Sequence, residues 1–526
     1  MEDIIIKNGR IVDGTGKTAY MGGVAITNGK LTAVGDVSHL TAKKTIDAKK
    51  KVISPGLIDA HCHSDISFLL DDRSESRIYQ GVTSEVCGQC GDSYYPCMPE
   101  RIANISTKLY LKCDEEWADV SFDGFLRHAA REKKRMATNL CQLVGHSTLR
   151  AGVMDYEDRA PTAKELERMQ RFLDADLSRG AWGLSLGLEY TPGCFAHADE
   201  FNALAEVVKT HDGLVTAHMR SEGDYLREAI AEIISIGKAA GVRVHISHLK
   251  IDRPVNWGKA AEFWRMIEEA RASGVAISAD MYPYNASCTG ITNRCPKWAI
   301  EGGVESAAKF LKGPRREEIL EHLRGRFPDR EWAKRCLITT TYGLFPEADG
   351  KSLLEIAEML NLPYAEAAAE LIERSNGNAL CIFFTMDEQD VDYFLRQDIG
   401  ICSDGYGLPL DPALLGSERP HPRSYGSLTR FLRLARETGI CTLEEAVRRV
   451  TSKAADMIKL PDRGRLIPGL AADVTVFDPD TVSDTATYLN PFQKPVGVDT
   501  VIVNGEIALE NGVQTAARAG KFLMHE

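Results

Sequence analysis

The chain has 526 residues and a net charge of −12, from 63 Lys+Arg against 75 Asp+Glu. A hydrophobic content of 44% with 26% charged residues is ordinary for a globular protein and excludes a mainly disordered chain. The acidic balance argues against nucleic acid or a membrane surface as partner. The 13 cysteines are odd in number and scattered from Cys62 to Cys441, unlike a short, dense disulfide scaffold, so free thiols in a reducing compartment are expected. Met1-Glu2-Asp3 lacks the basic start of a signal peptide, and no apolar run nears the roughly 20 residues that span a bilayer. A cytoplasmic location is the expectation.

The two ends read alike. Ile4-Ile5-Ile6-Lys7-Asn8-Gly9-Arg10-Ile11-Val12 predicts two strands about an Asn-Gly turn, and Val501-Ile502-Val503-Asn504-Gly505-Glu506-Ile507-Ala508 repeats the pattern. Asn-Gly between β-branched runs favours a hairpin because its type I′ turn needs positive φ at both central residues. With Asp473–Asp478 as a further strand, residues 1–53 and 463–526 are read as one β domain made from both termini, since each end alone is short of strands.

Between them, apolar strands alternate with amphipathic helices. Strands are predicted at Val52–His61, Thr83–Cys87, Leu140–Gly145, Gly183–Leu188, Leu214–His218, Val242–His248, Ala276–Met281 and Gly400–Asp404. Helices are predicted at Ala163–Ser178, Asp224–Ala240 and Lys259–Ser273. Such an α/β repeat means a parallel sheet, and eight strands over residues 54–462 fit a (β/α)8 barrel or a doubly wound open sheet. Two further apolar runs, Cys336–Tyr342 and Ala379–Met386, blur the count. Residues 286–345 are too long for a barrel loop and carry their own helix signal, so they are read as an inserted subdomain.

The chemistry gathers at strand ends. In Asp59-Ala60-His61-Cys62-His63, alternate residues share a face, so His61 and His63 point together into a barrel mouth, where a divalent metal suits paired imidazoles. His218 and His248 end later strands at the edge that converges on a ligand. His245 has the opposite parity to His248 and is read as structural. His146 also ends a strand but is not assigned to a metal. Cys87-Gly88-Gln89-Cys90 stands alone, with no second Cys-x-x-Cys for a four-thiolate site and no helix to open, which favours a single ligating thiolate over a redox pair. Asp404 ends the last strand, ahead of a loop that carries Arg423.

These residues together resemble the amidohydrolase superfamily and, within it, the N-acyl-D-amino-acid deacylases, or D-aminoacylases. The likeness rests on Pro55-Gly56-Leu57-Ile58-Asp59-Ala60-His61-Cys62-His63, Gly81–Gly91, His218-Met219-Arg220, His245–Lys250, Ser403-Asp404-Gly405 and Gly464–Asp473, and it covers nearly the whole chain. It implies a TIM-like (β/α)8 barrel, a small β-sandwich from both termini and a lid made by the insertion. It also implies one tightly bound Zn2+ on Cys90, His218 and His248, with the cysteine in the place of a bridging carboxylated lysine. His61, His63 and Asp404 would form a second, weak site. Asp404 is implied as the catalytic base and acid, and Lys250, Tyr282 and Arg423 as binders of the substrate carboxylate. The expected reaction is hydrolysis of the amide of an N-acyl-D-amino acid. The rivals are a cyclic amidase of the hydantoinase or dihydroorotase kind and a barrel that has lost catalysis and serves as a scaffold.

Overall fold

The computed structural model describes residues 1–95 and 136–526. The two termini build one nine-stranded sheet. Its order is Val513–Gln514, Glu506–Glu510, Val498–Val503, Val474–Phe477, Val52–Pro55, Glu2–Ile11, Tyr20–Thr27 and Lys30–Gly35, with Ala42–Asp47 also paired to Glu2–Ile11. Apolar side chains from both ends, among them Ile6, Ile26, Val474 and Ile502, pack into a single cluster. The Asn504-Gly505 hairpin is present, joining Val498–Val503 to Glu506–Glu510. The one predicted at Asn8-Gly9 is not. Glu2–Ile11 runs straight on through a bulge between Ile6 and Gly9. A Cβ on Gly9 would lie 2.3 Å from Ile53, so this glycine serves close packing of two strands rather than a reversal.

Eight parallel strands form the barrel. They are β1 (Leu57–Asp59), β2 (Val82–Cys87), β3 (Asn139–Gln142, continued as Val144–Gly145), β4 (Gly183–Gly187), β5 (Leu214–His218), β6 (Arg243–Ile246), β7 (Ile277–Met281) and β8 (Gly400–Ile401). Neighbours pair in that order. Closure is made beyond the ends of β1 and β8, where Asp404 N donates to His61 O (2.9 Å) and His63 N to Gly405 O (2.8 Å). The open-sheet alternative is therefore set aside. The predicted strand Val52–His61 divides at Gly56: Val52–Pro55 belongs to the terminal sheet and Leu57–Asp59 to the barrel. Thr83 leaves no room for a Cβ at that crossing.

Two domain limits differ from the sequence reading. The inserted sheet pairs Ser287–Gly290 and Cys336–Thr340 with Leu380–Phe383, and its separate apolar core runs from Ile291 to Phe383, well past residue 345. Both extra apolar runs thus belong to the insertion. At the other limit, Phe522–Leu523 leaves the terminal sheet and pairs with β3, tying the chain's end to the barrel.

Candidate metal centre

The predicted site residues meet at the carboxyl-terminal edge of the barrel. His61 and His63 follow β1, Cys90 follows β2, His218 ends β5, His248 and Lys250 follow β6, Tyr282 follows β7 and Asp404 follows β8. Close backbone packing sets the thiol in place. A Cβ on Gly187 would lie 1.9 Å from Cys90 O, and one on Gly145 would lie 2.4 Å from Gly91 O, so glycines let the Cys90 loop rest on β3 and β4. Cys90, His248 and Asp404 all carry positive φ, at 55°, 36° and 48°. Non-glycine residues adopt that conformation at some cost, and it gathers where function demands a direction.

Two groups of donor atoms result, and they share the thiol. Cys90 Sγ lies 3.2 Å from His248 Nε2 and 3.7 Å from His218 Nδ1, and the two nitrogens are 2.9 Å apart. Around a tetrahedral zinc, with bonds of about 2.0–2.3 Å, such donors stand roughly 3.3–3.6 Å apart, so these three match the ion's donor set, and the two nitrogens, at 2.9 Å, must part slightly to admit it. The second group is His61, His63, Cys90 and Asp404. His61 Nε2 is 3.4 Å from the thiol, and Asp404 Oδ1 is 3.2 Å from His63 Nε2.

Electrostatics agree with a cation site. Burial, then the charge of Asp404, pushes the Cys90 thiol well above its ordinary range, so a thiolate here needs a cation beside it. Burial and Lys250 push His248 well below its usual value, which keeps the imidazole neutral, the form that ligates. Burial acts to raise Asp404, but Arg423, with His248 and the His61 and His63 contacts, holds it well below the usual carboxylate range. Asp404 is therefore ionised at neutral pH.

Two carboxylates that the motif reading passed over hold the far sides of the imidazoles. His218 Nε2 meets Glu189 Oε2 at 3.0 Å, and His248 Nδ1 meets Glu222 Oε1 at 3.0 Å. Outer carboxylates of this kind fix the tautomer and ring angle of a ligating histidine. The sequence signals were Glu189 at the end of β4 and Glu222 four residues after His218.

The implied carboxylate binders converge on one ring. The Lys250 ammonium lies 5.6 Å and the Arg423 guanidinium 4.9 Å from the Tyr282 ring centre. Both cations have anionic partners. Lys250 Nζ is 2.6 Å from Glu222 Oε1, and Arg423 Nη1 is 2.7 Å from Asp404 Oδ2. The Tyr282 hydroxyl is buried without a hydrogen-bond partner. His245 stands outside the cluster, against Asp280 and Ser278, and His146 pairs with Glu200. Cys87 contacts Cys62 rather than the centre. Eleven cysteines, Cys90 among them, lie in the described residues, and all are free. Cys97 and Cys113 fall outside them.

Comparison with known proteins gives a consistent set. Residues 44–292 and 406–509 match the amidohydrolase family. An N-acyl-D-glutamate deacylase of Alcaligenes xylosoxydans xylosoxydans is 35% identical over 96% of this chain and 93% of its own length. A D-aminoacylase of the same organism is 33% identical over 99% and 97%. The crystal structure of N-acyl-D-glutamate deacylase from Bordetella bronchiseptica, complexed with zinc and a phosphonate inhibitor, is 32% identical, covers 100% of both chains and superposes with a TM-score of 0.85.

Proposed function

The chain belongs to the amidohydrolase family, and on that premise we propose that it is a zinc-dependent N-acyl-D-amino-acid deacylase with the metal on Cys90, His218 and His248. It hydrolyses the linear amide bond of N-acyl-D-amino acids, giving a carboxylate and a free D-amino acid. The observation that carries the residue assignment is the convergence of one thiol and two imidazoles into a buried cluster beside Asp404. His61 and His63, with Asp404, offer a second and weaker site. No second reading is favoured. A cysteine stands where a cyclic amidase would use its bridging lysine, and a scaffold would have no need of the donor set.

Zinc, when bound, lowers the pKa of a water and polarises the amide carbonyl. The remaining work falls to side chains. Asp404, ionised and within reach of the donor cluster, accepts the proton of the attacking water at its carboxylate and returns it to the nitrogen of the leaving amine. Arg423 presents a planar fork suited to a carboxylate, and the Lys250 ammonium and the unpartnered Tyr282 hydroxyl supply further donors. These donors fix one substituent of the α-carbon; its enantiomers are distinguished once the acylamino group at the metal centre and the side chain in the cleft are placed as well. His63 and Tyr406, 5.7 Å apart as rings, close one side of the mouth. A cytoplasmic location accords with eleven free cysteines, and among the described residues no helix is long and apolar enough to cross a membrane.

The test joins metal analysis to stereochemistry. Purified protein should carry close to one tightly held zinc per chain and release amine from N-acetyl-D- but not N-acetyl-L-amino acids. Activity confined to cyclic imides would sink the reading.

A further inference from the structure

We propose, resting on the deacylase reading above, that the preferred D-amino acid has an uncharged side chain, apolar or aromatic rather than acidic, because among the described residues the cleft at the metal centre has no cation to spare for a second carboxylate. That is the opposite of what the name of the 35% identical relative suggests.

The cleft has a volume of about 220 Å3 and opens from His63, Cys90 and Asp404 outward between the barrel loops and the insertion. Five tyrosines line it, Tyr94, Tyr156, Tyr190, Tyr342 and Tyr406, and the insertion adds Ile300, Val304 and Leu380. Tyrosines give large, stiff, mainly apolar contact surfaces, and ligand pockets for uncharged groups are built this way. Among the described lining residues the one Lys or Arg is Arg423, and its charge is set against Asp404 at 2.7 Å. Two more carboxylates, Asp65 and Asp92, face the same cleft. Asp65 is buried, and its Oδ1 meets no donor. The wall is thus neutral to acidic on every described side.

The nearest cations are committed elsewhere. Arg294 sits on the same stretch as the wall residues Cys288–Asn293 but does not face the cleft. Its guanidinium is 3.3 Å from Asp252, stacks 4.1 Å from the Phe383 ring centre, and lines a separate narrow cavity with Arg253, Arg326 and Arg335. Lys250 is held by Glu222, and Lys297 donates to Glu189 O at 2.6 Å. Once the substrate's own α-carboxylate takes the Arg423 end, a side-chain carboxylate would enter a wall of phenols, alkyl groups, neutral hydroxyls and amides, and anions, with no cation to balance its charge among the described residues. An ionised carboxylate taken from water without a partner is strongly disfavoured.

Pairs of equal size isolate the charge. Zinc-loaded full-length protein is assayed with N-acetyl-D-Gln against N-acetyl-D-Glu and with N-acetyl-D-Asn against N-acetyl-D-Asp. N-acetyl-D-Leu, -Met, -Phe and -Lys complete the panel. Each amide should exceed its acid in kcat/KM by about a hundredfold, and the apolar substrates should exceed both. Equal or better turnover of D-Glu or D-Asp, or a preference for D-Lys, overturns this inference and leaves the deacylase reading standing. No amine from any D-substrate, with zinc bound, overturns both. Asn293→Arg, which sets a cation in the wall, should raise the D-Glu to D-Gln ratio at least tenfold. An unchanged ratio in the soluble, zinc-loaded variant would show that this wall does not meet the side chain and would overturn this inference.

Discussion

Arg423 Nη1 lies 2.7 Å from Asp404 Oδ2, while Asp404 Oδ1 faces His63 Nε2 at 3.2 Å. One carboxylate is thus held from both sides, with a guanidinium on one oxygen and an imidazole on the other. Its position is fixed, and its charge is kept at neutral pH against the effect of burial. Proton transfer by a group so placed contributes about 10²–10⁴-fold. Asp404→Asn should therefore lower kcat by about that factor and leave the tightly bound zinc near one per chain. Near-normal turnover in a zinc-replete variant would remove Asp404 from the proton path.

Cys90 is common to both donor groups, and in the proposed assignment its thiolate is the anionic donor of the tight site. Zinc bound to a thiolate and two imidazoles loses its one neutralising charge when the thiolate goes. Cys90→Ala should bring zinc content after dialysis from near one to near zero, measured by plasma emission, with the far-UV spectrum of the fold unchanged. Retained zinc would show that the two histidines hold the ion with other donors.

Glu222 touches two proposed functions at once, since its Oε1 is 3.0 Å from His248 Nδ1 and 2.6 Å from Lys250 Nζ. Keeping the His248 Nε2 lone pair for a metal requires the proton on Nδ1, donated to Glu222. Lys250 Nζ also lies 2.8 Å from that nitrogen, so Glu222 decides which way the ring is protonated. Glu222→Gln should weaken zinc binding about 10–100-fold in a competition titration with a chromogenic chelator, and it should also lower KM by releasing Lys250 to the substrate carboxylate. Glu189→Gln, which meets His218 alone, should weaken zinc with little change in KM. Unchanged zinc affinity in both variants would make these contacts incidental.

The barrel was legible because its strands are short apolar runs, and several are ended or closely followed by a residue of the donor cluster. Strand parity put His61 and His63 on one side and set His245 apart from His248, and these residues lie so in three dimensions. Two kinds of feature were not legible. Asn8-Gly9 and Asn504-Gly505 are the same dipeptide, yet a bulge forms at the first because Ile53 packs over Gly9 and the strand continues. Only tertiary neighbours distinguish them. The limit of the insertion also depends on partners far along the chain, since Leu380–Phe383 looks like a barrel strand until it pairs antiparallel with Ser287–Gly290 and Cys336–Thr340. Glu189 and Glu222 escaped notice because a carboxylate near a strand end is common, and what marks these two is the nitrogen each one touches.

Beneath the centre, Arg77 is fully buried between Asp59 (3.1 Å) and Glu85 (2.9 Å). Asp59 in turn accepts from Ser403 N at 2.8 Å, so this network pins the seam between β8 and β1, where His61 and Asp404 stand. Removing the cation leaves two buried carboxylates, which costs about 3–5 kcal/mol. The cost should depend on pH. Burial, opposed by Arg77, pushes Asp59 up to about 6 from 3.8. A carboxyl raised on folding stabilises the fold fully below its unfolded value and loses that contribution as pH rises through the folded one. Without Arg77 the folded value moves higher still, so the loss extends further up the scale. The deficit of Arg77→Leu against the parent should therefore widen between pH 5.5 and pH 8, as read by denaturant unfolding with zinc present. A deficit that stays constant over that range would mean that Asp59 does not rely on Arg77 for its charge.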